Sequence, residues 1–551
     1  MPATAFARIP TAALLAGALA VAALTATVGG CRNPKPNTEQ EAVPDKPSVR
    51  LYLLSTVAGA LEPCGCSKDQ LGGVDHLASF IASEKAKAPN HLVLASGPLL
   101  FIDEKLKKDH ATQDEWKADA IAKAMKDIDL QAWAPGFNDW ASGPKTLAAK
   151  AKTAGASVLA AGLKQPFTED SKIFTVGEVK VGVIGVSDPK DRFGRYPDGV
   201  SGPDATKKLV EGELAKLREG GAQLVVVLAA MQRGAALRLA DGIDGINVLA
   251  VGKPSFDGHG NTAQPAPEMI KNTLVVETAN HLQTVSVVDV YFRGEPKAPV
   301  KLADGSGVER AAKIADLSGR IRELEARINS WEQGGKVDPK DLAARKADLA
   351  KLRKEREALE AKQSTPDGSF FRYRVQEVRE ALGESKPVTA LMRDYYKRVN
   401  DHNKKAFADL KPLEAADGQA KYVGTEECSN CHMEAEEVWD ATPHSNAYET
   451  LEKDFKEYNL ECVGCHVTGY GNPGGSTVTF VDGLKDVQCE TCHGPGSKHV
   501  EEPEAPGLIT LEPDPKSCVE QCHHPPHVEG FDPVAKMDLV LGPGHGKPLE
   551  D

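Results

Sequence analysis

Short apolar runs alternate with amphipathic stretches along the first half of the chain. The apolar runs lie at 49–56, 91–96, 157–161, 179–186, 224–229, 248–251, 274–277 and 284–292. Between several of these runs, apolar positions recur at helical spacing, at 73–87, 115–127, 144–154, 204–219 and 234–241. Because strand and helix patterns alternate, the sequence predicts a layered α/β domain over 49–300.

A different pattern follows at 306–365, where a charged segment carries apolar residues at helical spacing. The first row consists of Leu317, Ile321, Leu324, Ile328 and Trp331, and the second consists of Leu342, Leu349, Leu352 and Leu359. Gly334 and Gly335 interrupt the pattern, and Asp338-Pro339 is a helix-start signal. The segment therefore predicts an antiparallel helical hairpin. It either acts as a spacer or dimerisation element or packs as a solvated helix pair on its own chain.

The remainder of the chain changes character again. Residues 366–415 predict a connecting segment, with a short strand at 369–375 and a helix at 388–400. From 416 to 551 the chain is rich in Cys, His, Gly and Pro and has few long periodic segments. Such a composition predicts a mainly α-helical and irregular domain that is organised by cofactors more than by an apolar core. The predicted fold class is therefore multidomain α+β.

The N-terminus carries an export signal. Arg8 is the only charge before an apolar stretch at 11–27, which is too short for a good transmembrane helix. The stretch ends in Val28-Gly29-Gly30-Cys31, which resembles a bacterial lipobox. We expect a signal peptide over 1–30, a lipid on Cys31 that anchors the chain without spanning the membrane, and a solvated linker over 31–48. The alternative is a plain signal peptide with an incidental cysteine.

Charge and cysteine placement add two constraints. The formal net charge is -13, with 79 acidic and 66 basic residues, which argues against nucleic acid as a partner. Eight of the 11 cysteines lie between Cys428 and Cys522. With the export signal, this clustering predicts a protein on the periplasmic side of a bacterial outer or inner membrane, or at the cell surface.

The clustered cysteines form three regular motifs: Cys428-Ser-Asn-Cys431-His432, Cys462-Val-Gly-Cys465-His466 and Cys489-Glu-Thr-Cys492-His493. Two thiols at this spacing reach the two vinyl groups of one porphyrin, and the following histidine comes under the iron as its proximal ligand. Zinc sites also use Cys-x-x-Cys pairs, but they do not require that histidine. Disulfides would leave it unexplained. The repeated pattern therefore predicts covalently attached heme c.

A fourth, looser copy reads Cys518-Val-Glu-Gln-Cys522-His523, with one extra residue between the thiols. A loop of this length can still span the vinyl groups, and the alternatives are a disulfide or a degenerate site. The predicted cofactor is heme c at three motifs, with a fourth heme at this copy.

Histidines outside the motifs supply candidates for the second axial position of each iron. The expected proximal ligands are His432, His466, His493 and His523, and the distal candidates are His444, His499, His527 and His545. His524 competes with His527, and His402 is a further candidate. The number of histidines favours six-coordinate irons with two histidine ligands at most or all sites. Such an iron transfers electrons but leaves no open position for a substrate.

The region 422–549 resembles a multiheme cytochrome c family that includes the tetraheme electron carrier of ammonia-oxidising bacteria. The resemblance rests on the first motif followed by Trp439 and Thr442-Pro443-His444-Ser445-Asn446-Ala447-Tyr448, then CVGCH, then CETCHGPGSKH. It implies closely packed hemes that form an electron relay, with distal ligation by the histidines that match His444 and His499. The wider fourth spacing departs from the family pattern.

The 49–300 region resembles the metallophosphatase domain of bacterial 5′-nucleotidases and UDP-sugar hydrolases. The resemblance rests on the strand order, Gly72-Gly73, Leu159-Ala-Ala-Gly-Leu163 and Lys180-Val-Gly-Val-Ile-Gly185. It implies two metal ions, but the ligand positions hold Thr56-Val57-Ala58, Gly97-Pro98, Phe137-Asn138, Ala230 and Lys253. Since most of these side chains cannot hold hard divalent ions, we expect a scaffold without hydrolase activity. Glu62-Pro63-Cys64-Gly65-Cys66 follows the first strand, where a structural disulfide, a soft-metal site and redox exchange are the alternatives.

Together these features predict a membrane-anchored multiheme c-type cytochrome that transfers electrons between redox proteins of the cell envelope. One alternative is a multiheme oxidoreductase acting on a small nitrogen or sulfur compound, which needs a five-coordinate heme. The other is a 5′-nucleotidase-like phosphohydrolase with a fused cytochrome.

Overall fold

The structure is a computed structural model of the chain. It describes residues 46–63, 70–200, 202, 206–254, 260–294, 300–334, 337–361, 366–525, 527–528 and 530–549. Cys31, Cys64 and Cys66, which the sequence singles out, lie outside these ranges, as does the predicted signal peptide.

Fourteen strands build two sheets in the first 377 residues. They are β1 Val49–Ser55, β2 His91–Gly97, β3 Leu130–Pro135, β4 Ser157–Leu159, β5 Thr168–Glu169, β6 Ser171–Val176, β7 Val179–Ser187, β8 Leu224–Ala230, β9 Val248–Val251, β10 Glu268–Ile270, β11 Thr273–Val276, β12 Thr284–Tyr291, β13 Ala303–Asp304 and β14 Phe370–Glu377. The first sheet has the order β13-β14-β12-β1-β2-β3-β4-β5, and the second has the order β10-β11-β9-β8-β7-β6. The neighbouring pairs from β1 to β5 are parallel, as are β7-β8, β8-β9 and β9-β11.

Eight helices accompany these strands: α1 Val74–Lys85, α2 Ala111–Asp127, α3 Gly143–Ala154, α4 Thr206–Glu219, α5 Arg233–Gly242, α6 Val308–Gly334, α7 Pro339–Ala361 and α8 Lys386–Ala406. Helices α1, α2, α3 and α8 contribute to a core that also contains the Tyr52 and Leu54 side chains of β1. The alternate residues Leu51 and Leu53 enter a second core, between the two sheets. Because β1 is covered on both faces, it is apolar almost throughout. Helices α4 and α5 cover the outer face of the second sheet.

Two helices occupy the segment for which the sequence predicts a hairpin. Helices α6 and α7 contact each other along their length. The apolar row of α6 includes Leu317, Ile321 and Ile328, which are buried. No residue of α7 is buried among those that the structure describes, so this helix forms the solvated half of the pair.

From residue 407 onward the chain forms short helices joined by long irregular segments. The helices are α9 Thr425–Ser429, α10 Met433–Asp440, α11 Ala447–Lys453, α12 Cys489–His493, α13 Ser497–Glu501, α14 Lys516–Gln521 and α15 Pro533–Lys536, and β15 Gly542–Pro543 pairs with β16 Gly546–Lys547. Among the described residues of this region, the apolar cluster consists of Tyr448, Val463, Val467 and Val481. A core this small does not organise a region of this length by itself.

Candidate functional site

Each cysteine motif forms a single tight turn. In the first motif, the N–H groups of Cys431 and His432 both donate to the carbonyl of Cys428, at 3.1 and 3.0 Å. In the fourth, the N–H groups of Cys522 and His523 both donate to the carbonyl of Cys518. The extra residue of the fourth motif is therefore accommodated within one turn, and its thiols and histidine stay together as in the regular copies.

Three imidazole pairs each join a motif histidine to a histidine elsewhere in the chain. The ring centroids of His432 and His499 are 6.2 Å apart, and their planes are inclined by 22°. The centroids of His523 and His444 are 6.1 Å apart, as are those of His493 and His545. All six histidines are axial candidates in the sequence analysis, but the sequence does not indicate which two of them face each other.

The spacing within these pairs fits a metal ion between two imidazoles. A metal–imidazole bond is about 2.0–2.1 Å long, and the coordinating nitrogen lies about 1.1 Å from its ring centre. Two such rings on opposite sides of one ion therefore have centroids about 6.2 Å apart. The observed separations match this value, whereas directly stacked rings would lie closer together, as the 4.1 Å between His523 and Phe531 illustrates.

Backbone carbonyls fix the orientation of several of these histidines. The Nδ1 atoms of His466, His493 and His545 lie 2.6–2.7 Å from the carbonyls of Ala447, Thr510 and Val540, respectively. A carbonyl only accepts, so Nδ1–H must donate and the lone pair is left on Nε2. This is the usual tautomer of a metal-bound histidine, oriented by a second hydrogen bond.

Burial also keeps several of these imidazoles neutral, which is the form that binds a metal. It lowers the pKa of His444 and His466, and together with the neighbouring His444 it lowers the pKa of His523 to about 4.

His466 of the second motif differs from the other three motif histidines. Within the described ranges, no second imidazole faces its ring. His527, which the sequence offered as a distal ligand, instead lies against His524 with the ring centroids 6.4 Å apart. His402 packs edge-on against Trp116 at 5.0 Å. Neither His527 nor His402 is therefore brought opposite a motif histidine.

All eight motif cysteines are free thiols, including Cys518 and Cys522. Thiols of different motifs adjoin in two places. A hydrogen bond with Cys428 lowers the pKa of Cys489 to about 7, and a hydrogen bond with Cys522 lowers that of Cys465 to about 7. The first motif therefore lies beside the third, and the second beside the fourth.

Glu490, inside the third motif, is a structural residue that the sequence analysis missed. Its side chain is buried, with 2% of the residue exposed. The carboxylate accepts hydrogen bonds from the backbone N–H groups of Val423, Gly424 and Gly496, at 2.7–3.0 Å. These bonds tie the segment before the first motif to the loop after the third. A buried carboxylate with several backbone donors is well satisfied, so this contact fixes the two motifs relative to each other.

The second motif is held directly against the α/β region, with which it forms one compact unit. Gln113 of α2 donates from Nε2 to Asn459 Oδ1 at 3.1 Å, and its Oε1 accepts from the N–H of Leu460 and from Asn403 of α8. Lys117, one turn further along α2, lies 2.9 Å from both carboxylate oxygens of Glu461. The three residues that precede Cys462 are thus fixed by helices of the α/β region.

Residues 427–494 match the model of a protein family described as Cytochrome c554 and c-prime. The resemblance expected from the motifs is confirmed. Cytochrome c-554 of Nitrosomonas europaea is 37% identical over 93 residues, which are 14% of this chain and 40% of the relative. Since the chain covers less than half of that relative, the similarity concerns one part of each protein.

Solved structures similar to the chain include the 5′-nucleotidase precursor of Thermus thermophilus. It has a TM-score of 0.42 and 14% identity, and the match covers 67% of this chain and 60% of that one. The NAD nucleotidase of Haemophilus influenzae has a TM-score of 0.37 and 17% identity, covering 45% of this chain and 54% of that one. These are the proteins that the sequence of the α/β region resembles, but similarity at this level carries no inference about activity.

Thr56 and Ala58, two of the positions at which the sequence resemblance implies metal ligands, form hydrogen bonds with backbone groups. Thr56 donates from Oγ1 to the carbonyl of Lys253 at 3.0 Å, and the N–H of Ala58 donates to the carbonyl of Pro98. Gly97 and Gly252 approach so closely that a Cβ on Gly252 would lie 2.1 Å from the Ser96 carbonyl carbon. Among the residues that the structure describes, no group of three or more His, Cys, Asp or Glu could hold a metal ion. The described side chains at the expected ligand positions therefore form no such group.

None of the helices in the described part of the chain is both long and apolar enough to cross a membrane.

Proposed function

We propose that this chain is a multiheme c-type cytochrome that carries electrons between redox proteins of the bacterial cell envelope. The observation that carries the proposal is the set of three imidazole pairs with centroids 6.1–6.2 Å apart. Each pair contains the histidine of a cysteine motif. Bound heme supplies an iron that takes up and releases single electrons.

The roles of the chain's own residues follow from this arrangement. Eight motif cysteines would form thioethers to the hemes: Cys428, Cys431, Cys462, Cys465, Cys489, Cys492, Cys518 and Cys522. The irons would be held by His432 with His499, by His493 with His545 and by His523 with His444, and His466 would hold the second heme. The carbonyls of Ala447, Thr510 and Val540 orient three of these imidazoles.

The adjoining thiols support a compact arrangement of the cofactors. Since the first motif lies beside the third and the second beside the fourth, hemes attached there would be neighbours in two pairs. Close spacing is what electron transfer between cofactors needs, and the fixed Glu490 contacts would hold it constant.

Anchoring and location belong to the same proposal. The lipobox-like sequence ending in Cys31 supports a lipid anchor on the periplasmic side of a membrane or at the cell surface. The net charge of -13 supports partners with basic docking surfaces and speaks against nucleic acid.

A second candidate function is favoured by His466 alone. A heme held only by that imidazole would have an open axial position, which is the requirement for an oxidoreductase acting on a small nitrogen or sulfur compound. This candidate shares the three imidazole pairs with the electron carrier. It differs from the electron carrier only in that a substrate would bind to the heme of the second motif.

Spectroscopy of the full-length protein, produced in a host that attaches heme c, tests the proposal. A pyridine hemochrome assay with mass spectrometry should give four hemes; three would remove Cys518–His523 from the set, and none would refute the proposal. Electron paramagnetic resonance of the ferric protein should show low-spin signals from the three axial pairs. A high-spin signal from the heme at His466 fits both candidates, whereas turnover of an added nitrogen or sulfur compound would move the assignment to the second candidate.

A further inference from the structure

A cavity of about 570 Å³ lies between the α/β region and the cytochrome region. Its walls come from the start of α1, from α8 and the turn before it, and from residues 453–456 after α11. Small-molecule sites in proteins commonly have volumes of about 300–1,000 Å³ and often lie where two lobes meet. The cavity is large enough for a small organic molecule.

Asp75 is a buried acidic residue in the wall of this cavity. Only 7% of the residue is exposed, and its Oδ1 atom is buried without a hydrogen-bond partner. Burial of an unpartnered carboxylate oxygen is costly, so such a group points to a missing partner. Asp75 lies in the first turn of α1. The cavity wall therefore presents a carboxylate oxygen that lacks a donor.

The other charges of the wall do not compensate for Asp75. Lys456 is paired with Glu62 at 2.7 Å, and Lys453 is paired with Glu449 at 3.0 Å. Arg393 lies over the Phe455 ring, 5.3 Å from its centroid. Two exposed carboxylates at the rim, Glu380 and Glu384, have no ion pair within the described ranges. The wall thus holds five carboxylates, those of Glu62, Asp75, Glu380, Glu384 and Asp454, against the three cations Arg393, Lys453 and Lys456, so that acidic groups are in excess.

The uncharged groups of the wall add hydrogen-bonding capacity and an apolar surface. His76 donates from Nδ1 to the carbonyl of Gly383 at 2.8 Å, so that its Nε2 is an acceptor. Thr389 has a buried Oγ1 without a partner. The Phe455 backbone has φ 59°, a left-handed conformation that is costly for a bulky residue and tends to persist at functional sites. This strained residue places an aromatic ring in the cavity wall.

We propose that this cavity binds a small organic cation, whose ammonium or guanidinium group donates to Asp75 and whose apolar part lies against Tyr396 and Phe455. A cation supplies the donor that Asp75 lacks and balances the excess of carboxylates. An anion would meet a wall in which carboxylates outnumber cations and would supply no donor for Asp75.

Three probes that share one ring but differ in charge test this assignment: benzylamine, benzyl alcohol and benzoate. Titration calorimetry on the full-length heme-loaded protein should show saturable binding of benzylamine. Benzyl alcohol and benzoate should bind at least tenfold more weakly. In the Asp75→Asn variant the affinity for benzylamine should fall about tenfold or more, which corresponds to about 1.4 kcal/mol.

Two further variants separate binding from folding. Glu384→Gln changes an exposed rim carboxylate and should weaken benzylamine binding about twofold without loss of stability. Glu219→Gln changes an exposed carboxylate on α4 and should leave binding unchanged. Equal affinity for all three probes, absence of benzylamine binding, or an unchanged affinity in a folded Asp75→Asn protein would overturn the inference. Heme content, measured on the same samples, reports separately on the proposed electron-transfer function.

Discussion

His432 and His499 face each other with ring centroids 6.2 Å apart and planes inclined by only 22°. His499 belongs to the short helix α13, which follows the third motif, whereas His432 belongs to the first. The pair therefore joins the segment of the first motif to the segment that follows the third.

The first prediction concerns this pairing. Replacement of His499 by Ala should remove one of three low-spin signals from the paramagnetic resonance spectrum of the heme-loaded protein and add a high-spin signal, because one iron loses its second axial ligand. His444→Ala and His545→Ala should each do the same at a different heme. His524→Ala is the matched control, since His524 lies against His527 and not against a motif histidine. A low-spin spectrum that survives the loss of His499 would contradict the pairing.

The second prediction concerns Glu490. In Glu490→Gln, an amide N–H₂ replaces one of the two accepting oxygens, so at least one of the N–H groups of Val423, Gly424 and Gly496 loses its partner. We expect the free energy of unfolding to fall by about 1–3 kcal/mol. Chemical denaturation followed by heme absorbance measures this loss. The control variant is Glu520→Gln, which changes an exposed glutamate inside the fourth motif and should alter the free energy of unfolding very little. An equal loss of stability in both variants would contradict the proposed role of Glu490.

The third prediction concerns the junction between the two lobes. Gln113→Leu should leave the N–H of Leu460 without its partner and remove one hydrogen bond each from Asn459 and Asn403. The expected cost is about 1–3 kcal/mol, with faster proteolysis of the segment around 407–460. Limited proteolysis with mass mapping shows whether the cut falls there. Thr112→Ala, at the exposed neighbouring position, should be cut at the rate of the unmodified protein.

The fourth prediction is a dependence on pH. Burial alone would raise the pKa of Glu461, but the Lys117 ammonium and its hydrogen bonds hold that pKa below the ordinary value of 4.5. The ion pair therefore contributes stability that is fully present above about pH 4.5 and is lost as the pH falls through the lower folded-state pKa. Lys117→Gln should be less stable than the unmodified protein at pH 7, and the difference should shrink in acid. Thermal unfolding of the variant and of the unmodified protein between pH 3 and pH 7 measures this difference in stability. A difference that stays constant across this range would exclude a contribution from the ionisation of Glu461.

Much of the layered fold could be predicted because its signals are local. The apolar run of β1 and the helical spacing of α2 depend on neighbours in sequence, and the predicted segments fall on these elements. The cysteine motifs are local as well, because the thiols and the histidine of one motif fit in one turn. Strand β6, by contrast, was not predicted, since its residues are mostly only half-buried and its apolar pattern is weak.

The parts that could not be predicted depend on contacts between distant residues. Nothing in the spacing of His444 indicates that it faces His523 and not His466, because such a pairing is set by the path of the whole region. Glu490 and Gln113 look like ordinary polar residues of a motif and of a helix. Their roles follow only from burial against backbone donors that other segments bring to them.

The position of Gln113 constrains the order in which the protein is built. Gln113 precedes Asn459 by 346 residues, and every strand of both sheets precedes the second motif. During synthesis, the surface that receives residues 459–461 is therefore complete in sequence before those residues follow. Gln113 and Lys117 of α2 are thus made before every residue of the second cysteine motif and before the three residues that hold this motif against α2.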